Sequence, residues 1–384
     1  VSVFYGNGTG GFAQQVLYDV GISPGSIIAS DLNGDGKLDL AVSNYYWLNV
    51  AVLRNTGNSF SQANHFVTGT NPSDVAAADV NSDGRTDLLV TNEGTNNVTL
   101  LTGTCTSSKT RRFSDFDGDG RTDISVFRPS NGVWYRLNSS NNDFAAAQFG
   151  TNGDQTVPGD YNGDGKADIA VYRPSNGDWY ILNSFNNTFQ AVQFGASGDI
   201  PSPADFDGDG KTDVAVFRPS NGVWYLLQSR NGFTAVQFGA NGDVPVSEDY
   251  DGDGRADIAV YRPSNGTWYL LQSSNGFTAA QFGTIGDKPV PSDFDADGRA
   301  DMAVFRPSNG VWYLLQSTGG FTAAQFGTNG DKPSAGDYDG DGRVDIAVFR
   351  PSNGAWYLLR SAAGFTAAQF GASGDIPAPS AFVP

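Results

Sequence analysis

Nine residues, Asp205-Phe206-Asp207-Gly208-Asp209-Gly210-Lys211-Thr212-Asp213, recur in near-copies that begin at Asp31, Asp79, Asp115, Asp160, Asp205, Asp249, Asp293 and Asp337. Every copy keeps a carboxylate at its first, fifth and ninth positions and a glycine at its sixth. Carboxylates at alternate positions, followed by a turn and a fourth acid, can fold hard oxygen ligands around one cation. Ca²⁺ asks for about six to eight oxygens at roughly 2.3 to 2.6 Å. The third position is Asp117, Asp207, Asp251, Asp295 or Asp339 in five copies and Asn33, Asn81 or Asn162 in three. An amide oxygen can still bind a cation but cannot move a proton as a catalytic carboxylate does, so the pattern follows coordination rather than acid-base chemistry.

The candidate ligands are therefore assigned loop by loop. Asp31, Asn33, Asp35, Lys37 and Asp39 form the first set, and Asp79, Asn81, Asp83, Arg85 and Asp87 the second. Asp115, Asp117, Asp119, Arg121 and Asp123 form the third, and Asp160, Asn162, Asp164, Lys166 and Asp168 the fourth. Asp205, Asp207, Asp209, Lys211 and Asp213 are followed by Asp249, Asp251, Asp253, Arg255 and Asp257. The last two sets are Asp293, Asp295, Asp297, Arg299 and Asp301, and Asp337, Asp339, Asp341, Arg343 and Asp345. The cation at the seventh position cannot ligate through its side chain. It is expected to offer its backbone carbonyl and point its charge outward.

A solitary Asp-Gly stretch would read as an ordinary turn, and eight matched copies make that reading poor. An EF-hand shares Asp-x-Asp-x-Asp-Gly but needs a bidentate Glu at its twelfth position and flanking helices. Here Val216 and Val260 stand at that position. The segment after the loop, Asp213-Val-Ala-Val-Phe-Arg-Pro, is rich in β-branched residues and stopped by proline, which predicts a strand.

The charge balance fits the same account. The formal net charge is −18, and most of the 41 acidic residues occupy the four acidic loop positions. Eight divalent cations would bring the balance to about −2, whereas two carboxylates about 5 Å apart repel by roughly 3 kcal/mol at an effective dielectric near 20. A surface of this kind lacks the basic stripe of a nucleic-acid binder. No apolar run approaches the roughly 20 residues that span a bilayer, so no membrane insertion is expected in this segment. A single cysteine, Cys105, excludes an internal disulfide framework. The chain opens on Val1 within a repeat and has one methionine, Met302. This reads as part of a longer protein.

The loops need a scaffold, and the intervening sequence supplies it. From Arg111 onward loop starts lie 45, 45, 44, 44 and 44 residues apart. One unit runs loop, Asp-Ile-Ala-Val-Phe, Arg-Pro-Ser-Asn-Gly, Val-Trp-Tyr-Leu-Leu, Ser-Asn-Gly, Phe-Thr-Ala-Ala-Gln-Phe-Gly, then Gly-Asp-x-Pro. Four short strands in about 40 to 45 residues is the signature of a β-propeller blade. The predicted fold is all-β, a β-propeller of four-stranded blades carrying Asp-rich calcium loops, with antiparallel hairpins at the Ser-Asn-Gly turns.

Residues 1–103 read as the truncated end of one propeller and 104–110 as a linker. Residues 111–384 read as a second propeller of six repeats. One ring of about eight blades is the alternative. Only 36 residues separate Asp79 from Asp115, so the blade carrying the second loop should lack its outermost strand. Gly371 to Phe382 copies Gly195 to Phe206 with Ala381 in place of the loop aspartate, so this segment is expected to act as a closing strand without a metal loop.

These residues carry a resemblance. Gln-Phe-Gly ends a unit at Phe149, Phe194, Phe238, Phe282, Phe326 and Phe370, followed by an inner strand and the Asp-rich loop. In this the chain resembles the FG-GAP and VCBS repeat family, the integrin-α-like calcium-binding propellers. The resemblance implies a secreted or surface-exposed propeller, up to eight structural Ca²⁺ ions, and a role in adhesion or ligand recognition. The units are shorter than those of animal integrins, and no partner-subunit signature is present, so receptor function does not follow.

Trp134, Trp179, Trp224, Trp268, Trp312 and Trp356 recur before Tyr and could stack on sugars, but matched aromatics in each blade favour packing between blades. Arg128, Arg173, Arg218, Arg262, Arg306 and Arg350 precede proline at a hairpin corner. Stacking on the adjacent Trp or pairing with loop carboxylates is expected there rather than recognition of anionic glycans. His65 is the only histidine, so no Ser-His-Asp or Cys-His arrangement has support. Glu93 and Glu248 are isolated acids. The sequence thus reads as a non-catalytic extracellular or cell-surface module for a protein or glycan partner. The alternatives are a display spacer within a larger secreted protein and, further off, a polysaccharide-active enzyme.

Overall fold

A computed structural model describes residues 1–6, 10–32, 37–55, 59–61, 63–80, 86–102 and 114–378. The described residues are all-β, with no helix. The chain divides into two compact units, Val1–Cys105 and Thr106–Pro384. The predicted linker 104–110, Cys105 and Ala381 lie outside the described residues.

In the first unit, Ser2–Val3 pairs with Val16–Leu17. A four-stranded sheet of Pro24–Ser30, Asp39–Asn44, Asn49–Leu53 and Asn64–Val67 follows, and then a three-stranded sheet of Pro72–Ala78, Asp87–Asn92 and Asn97–Leu101. Ala41, Val50, Val52, Val75, Leu88 and Val90 form the core between these two sheets. No fourth strand joins Asn97–Leu101 among the described residues.

The second unit holds six four-stranded antiparallel sheets. In the sheet of Ile200–Pro201, Val214–Arg218, Val223–Gln228 and Gly232–Gln237, strand order in space follows the sequence. The second strand, Val-Ala-Val-Phe, is buried on both faces, as a continuous apolar run should be. The third alternates and the fourth is largely exposed at the sheet edge. The hairpin between the second and third strands turns at Gly222, whose φ is +67 and whose N–H donates to the Arg218 carbonyl at 2.8 Å. A Cβ there would lie 2.4 Å from the Gly239 carbonyl oxygen, so only glycine fits.

Apolar clusters join each sheet to the next. Phe217 and Trp224 pack with Val260 of the following sheet, and Phe305 and Trp312 with Val344 and Val348. The cycle returns to its start where Phe349 and Trp356 pack with Val126 of the first sheet. The first sheet takes its opening strand from the other end of the chain, with Ile376–Pro377 pairing Val126↔Pro377 and Phe127↔Ile376. The Trp rings of all six sheets are fully buried, and each indole N–H donates to a Phe carbonyl, as Trp224 does to Phe238 at 2.9 Å. These rings are therefore core, not a sugar platform.

Candidate metal loops

Except at Asp115, whose sheet takes its first strand from Ile376–Pro377, each Asp-rich loop leaves the first strand of its sheet and returns into the second, so its two ends are held together. In the second unit the ninth-position N–H donates to the carbonyl just before the loop, for instance Asp213 to Ala204 at 2.8 Å and Asp345 to Gly336 at 2.8 Å. The second-position aromatic anchors the loop to the core, Phe206 lying edge-on to Trp224 with centroids 6.3 Å apart.

Inside the loop the acids divide their work. The Asp205 carboxylate accepts from the Gly208 and Gly210 N–H groups at 2.7 and 2.8 Å. Asp213 accepts from Phe206 N–H at 2.8 Å and from Ser229 N–H at 2.7 Å. Asp209 accepts from Lys211 N–H and from the Ser229 hydroxyl. Asp207 uses one oxygen for the Arg230 and Asn231 N–H groups, both at 3.0 Å. Its other oxygen, Oδ1, is buried and has no hydrogen-bond partner among the described residues. The same holds for Oδ1 of Asp295 and Asp339.

One oxygen from each of three acids converges within 4.8 Å in five loops. The triads are Asp115, Asp117 and Asp123; Asp205, Asp207 and Asp213; Asp249, Asp251 and Asp257; Asp293, Asp295 and Asp297; and Asp337, Asp339 and Asp345. A buried carboxylate oxygen without a donor costs free energy unless a cation or proton meets it. These loops fit a hard divalent ion, held by the acids at positions one, three, five and nine.

In the fourth loop Asn162 replaces the third acid, and its Nδ2 lies 3.3 Å from Asp164 Oδ2 and 3.2 Å from Asp168 Oδ1. In the first unit Asp39 accepts from Leu32 and Asn55 N–H, and Asp87 from Val80 N–H, so the ninth position behaves alike. Asn33, Asp35, Asn81, Asp83 and Arg85 lie outside the described residues; Asp31, Lys37 and Asp79 lie within them.

Electrostatics mark the crowding. Burial, helped by neighbouring loop acids and opposed by the N–H donors, pushes Asp213, Asp257 and Asp301 up to about 7. Asp123, Asp249 and Asp345 rise to about 6 for the same reason.

The loops are also stitched to one another. The eighth-position N–H donates to the first-position carbonyl of the preceding loop, from Ala167 to Asp115, Thr212 to Asp160, Ala256 to Asp205, Ala300 to Asp249 and Val344 to Asp293. Thr122 to Asp337, at 2.6 Å, closes the series. The seventh-position side chain reaches back over the preceding loop. A Cβ on Gly208 would come within 3.1 Å of Arg255 Cγ, and one on Gly340 equally close to Arg121 Cγ. Arg121, Lys166, Arg255, Arg299 and Arg343 are exposed and Lys211 half-buried.

Two expectations for other residues need correction or addition. The repeated arginines pair neither with loop acids nor with tryptophan. Arg218 makes two parallel bonds to the buried Asp199, Nε–Oδ1 at 2.7 Å and Nη2–Oδ2 at 2.8 Å, and lies 4.4 Å from the Tyr225 centroid. The acid comes from Gly-Asp-x-Pro, whose turn aims it at the hairpin corner while the indole is sealed in the core. Asp154, Asp243, Asp287 and Asp331 serve Arg173, Arg262, Arg306 and Arg350, and Asp375 serves Arg128. Sequence reading also missed the serine that seals each loop of the second unit, Ser139, Ser184, Ser229, Ser273, Ser317 or Ser361. Its constant offset of 24 residues from the loop's first acid is the signal that could have found it.

Comparison with known proteins identifies the repeats. The FG-GAP-like repeat model matches residues 31–90, 115–171, 160–216 and 293–348, and the FG-GAP repeat model residues 197–237. Matches over more than half of its length establish that the chain belongs to the FG-GAP repeat family. No match is found among curated proteins. Solved structures with similarity include a virginiamycin B lyase from Staphylococcus aureus (10% identity, TM-score 0.35, covering 79% of this chain and 84% of that one). An Agrocybe aegerita lectin that recognises non-reducing terminal N-acetylglucosamine is similar at 16% identity and TM-score 0.33, over 83% of this chain and 86% of that one. A protein of unknown function from Bacteroides caccae shows 8% identity and TM-score 0.40, over 66% and 93%.

Proposed function

We propose that this protein is a calcium-stabilised, non-catalytic binding module of the cell exterior, and that its second unit is a six-bladed propeller rather than part of a larger ring. The observation that carries the calcium reading is the set of buried, unpartnered Oδ1 atoms of Asp207, Asp295 and Asp339, in loops whose other acids converge on the same space. Closure of the first sheet by Ile376–Pro377 and the apolar seam between the sixth and first sheets support the ring of six.

Calcium here acts as a crosslink. An ion that binds only the folded loop stabilises it by about 2.7 kcal/mol at a hundredfold excess over its dissociation constant. Loops of this kind suit millimolar calcium, the level outside cells, where even weak sites fill. The partner is a protein or a carbohydrate, taken by surfaces that the sheets hold rigid.

Two measurements test the reading. Excess EDTA should lower the melting temperature markedly and calcium should restore it; an unchanged melt refutes the metal role. The calcium-loaded chain should bind members of a glycan array or a panel of surface proteins, and failure to retain any of them refutes the binding role.

A further inference from the structure

Two of the loops carry almost the same residues. Asp115-Phe-Asp-Gly-Asp-Gly-Arg-Thr-Asp123 and Asp205-Phe-Asp-Gly-Asp-Gly-Lys-Thr-Asp213 differ only at the seventh position, where both have a cation. Their ninth acids are held alike, Asp123 by the Phe116 and Ser139 N–H groups at 2.8 and 2.6 Å and Asp213 by those of Phe206 and Ser229. A difference in how the two loops hold an ion must therefore come from what lies behind them.

Behind them the sheets differ at one cross-strand pair. Ala215 faces Leu226 behind the Asp205 loop, and both pack in the core with Phe206. The position of Leu226 is Ile181, Leu270, Leu314 or Leu358 in four further sheets, each facing an alanine. In the first sheet of the second unit the pair is Ser125 and Arg136. Arg136 lies over Phe116 where Leu226 packs with Phe206, its guanidinium carbon 4.9 Å from the ring centroid. That ring belongs to the loop itself. Phe116 stands between Asp115 and Asp117 and its N–H holds Asp123, and these are the three acids whose oxygens converge within 4.8 Å. Arg136 is half-buried, and its Nε and the Ser125 Oγ are buried with no hydrogen-bond partner among the described residues. Burial holds the guanidinium below its ordinary range, opposed by the charges of Asp123 and then Asp117. Arg230, whose N–H serves Asp207, is exposed, where water screens its charge.

We propose that Arg136 is a built-in countercharge of the Asp115 loop, so that this loop takes calcium more weakly than the other loops with three converging acids and keeps its shape better without it. A fixed positive charge partly out of water eases the repulsion among the acids of the empty loop and resists the arrival of a second cation, and salt screens it less than a surface charge. The sheet concerned is the one that receives the closing strand Ile376–Pro377, so closure depends least on the ion. The inference rests on the calcium reading of the loops and ranks their affinities.

The test is a calcium titration of the full chain read by amide NMR at the sixth-position glycines, each of whose N–H groups donates to the first acid of its loop. In wild type Gly120 should respond at calcium concentrations about tenfold or more above those that move Gly210, Gly254, Gly298 and Gly342. The neutral variant R136L, or R136M should leucine fail to fold, should bring Gly120 into the range of the others. R136K keeps the charge and should leave Gly120 behind. A wild-type Gly120 that responds together with the others, or one that the neutral variants do not move, overturns the proposal while the calcium reading stands. An equal shift in R136K and the neutral variants assigns the effect to packing and overturns it as well. If none of these glycines responds to calcium, the calcium reading falls and this inference with it.

Discussion

Replacing Asp207 by Asn should stabilise the protein without calcium and lose most of that gain when calcium is present. Asp207 is 3% exposed, one of its oxygens has no donor, and Asp205 and Asp213 oxygens lie within 4.8 Å. Like charges at that spacing repel by about 3 kcal/mol per pair at an effective dielectric near 20. Asp213, pushed up to about 7, is about half protonated at neutral pH, which trims the total. In Asp207→Asn the amide oxygen can take over the Arg230 and Asn231 N–H groups, and the NH₂ then turns toward the neighbouring acids. Asn162 already does this in the fourth loop, toward Asp164 and Asp168. Without metal the variant should therefore gain about 1 to 3 kcal/mol, or about 2 to 10 °C in melting temperature. With calcium it loses a charged ligand, and a tenfold weaker site costs about 1.4 kcal/mol when the ion is in excess. Differential scanning calorimetry of wild type and variant, each in excess EDTA and in millimolar calcium, reads the gain and its loss. A variant that is destabilised in EDTA, or stabilised equally in both buffers, would refute the view that this pocket is organised for a cation.

Further outcomes follow from the same contacts. Asp375→Ala leaves Arg128 half-buried and unpaired and unhooks the closing strand, so it should cost about 3 to 5 kcal/mol and speed proteolysis near residue 378. Cleavage no faster than in wild type would count against the closure. Trp224→Ala should cost about 3 to 5 kcal/mol through the lost core volume and the lost bond to the Phe238 carbonyl; denaturant melts measure it. For the metal-free protein, carboxyls raised from 3.8 to about 6 or 7 in the fold bind more protons folded than unfolded. Their contribution is fully present below about pH 3.8 and is lost as pH rises through 6 to 7. Melts in EDTA should fall across that window, and added calcium, which needs the ionised acids, should regain most of its effect above it.

What could be read in the chain was whatever repeats locally. The Asp-rich loops, the strand after each, the Asn-Gly hairpin corners and the burial of the tryptophans all depend on residues a few positions apart, where turn chemistry and side-chain alternation decide the outcome. The closing segment at the C-terminus was legible for the same reason, as a copy of earlier inner strands. Partnerships between distant residues were not. The arginines' acids lie 19 positions upstream in five sheets, but for Arg128 the partner is Asp375, 247 positions away. Only a cycle that returns to its first sheet brings that pair together. The same holds for the bond from Thr122 to Asp337. A repeat encodes its own turns and strands because short-range sterics and hydrogen bonds set them. What stands beside it is decided by how many repeats pack before the apolar faces meet.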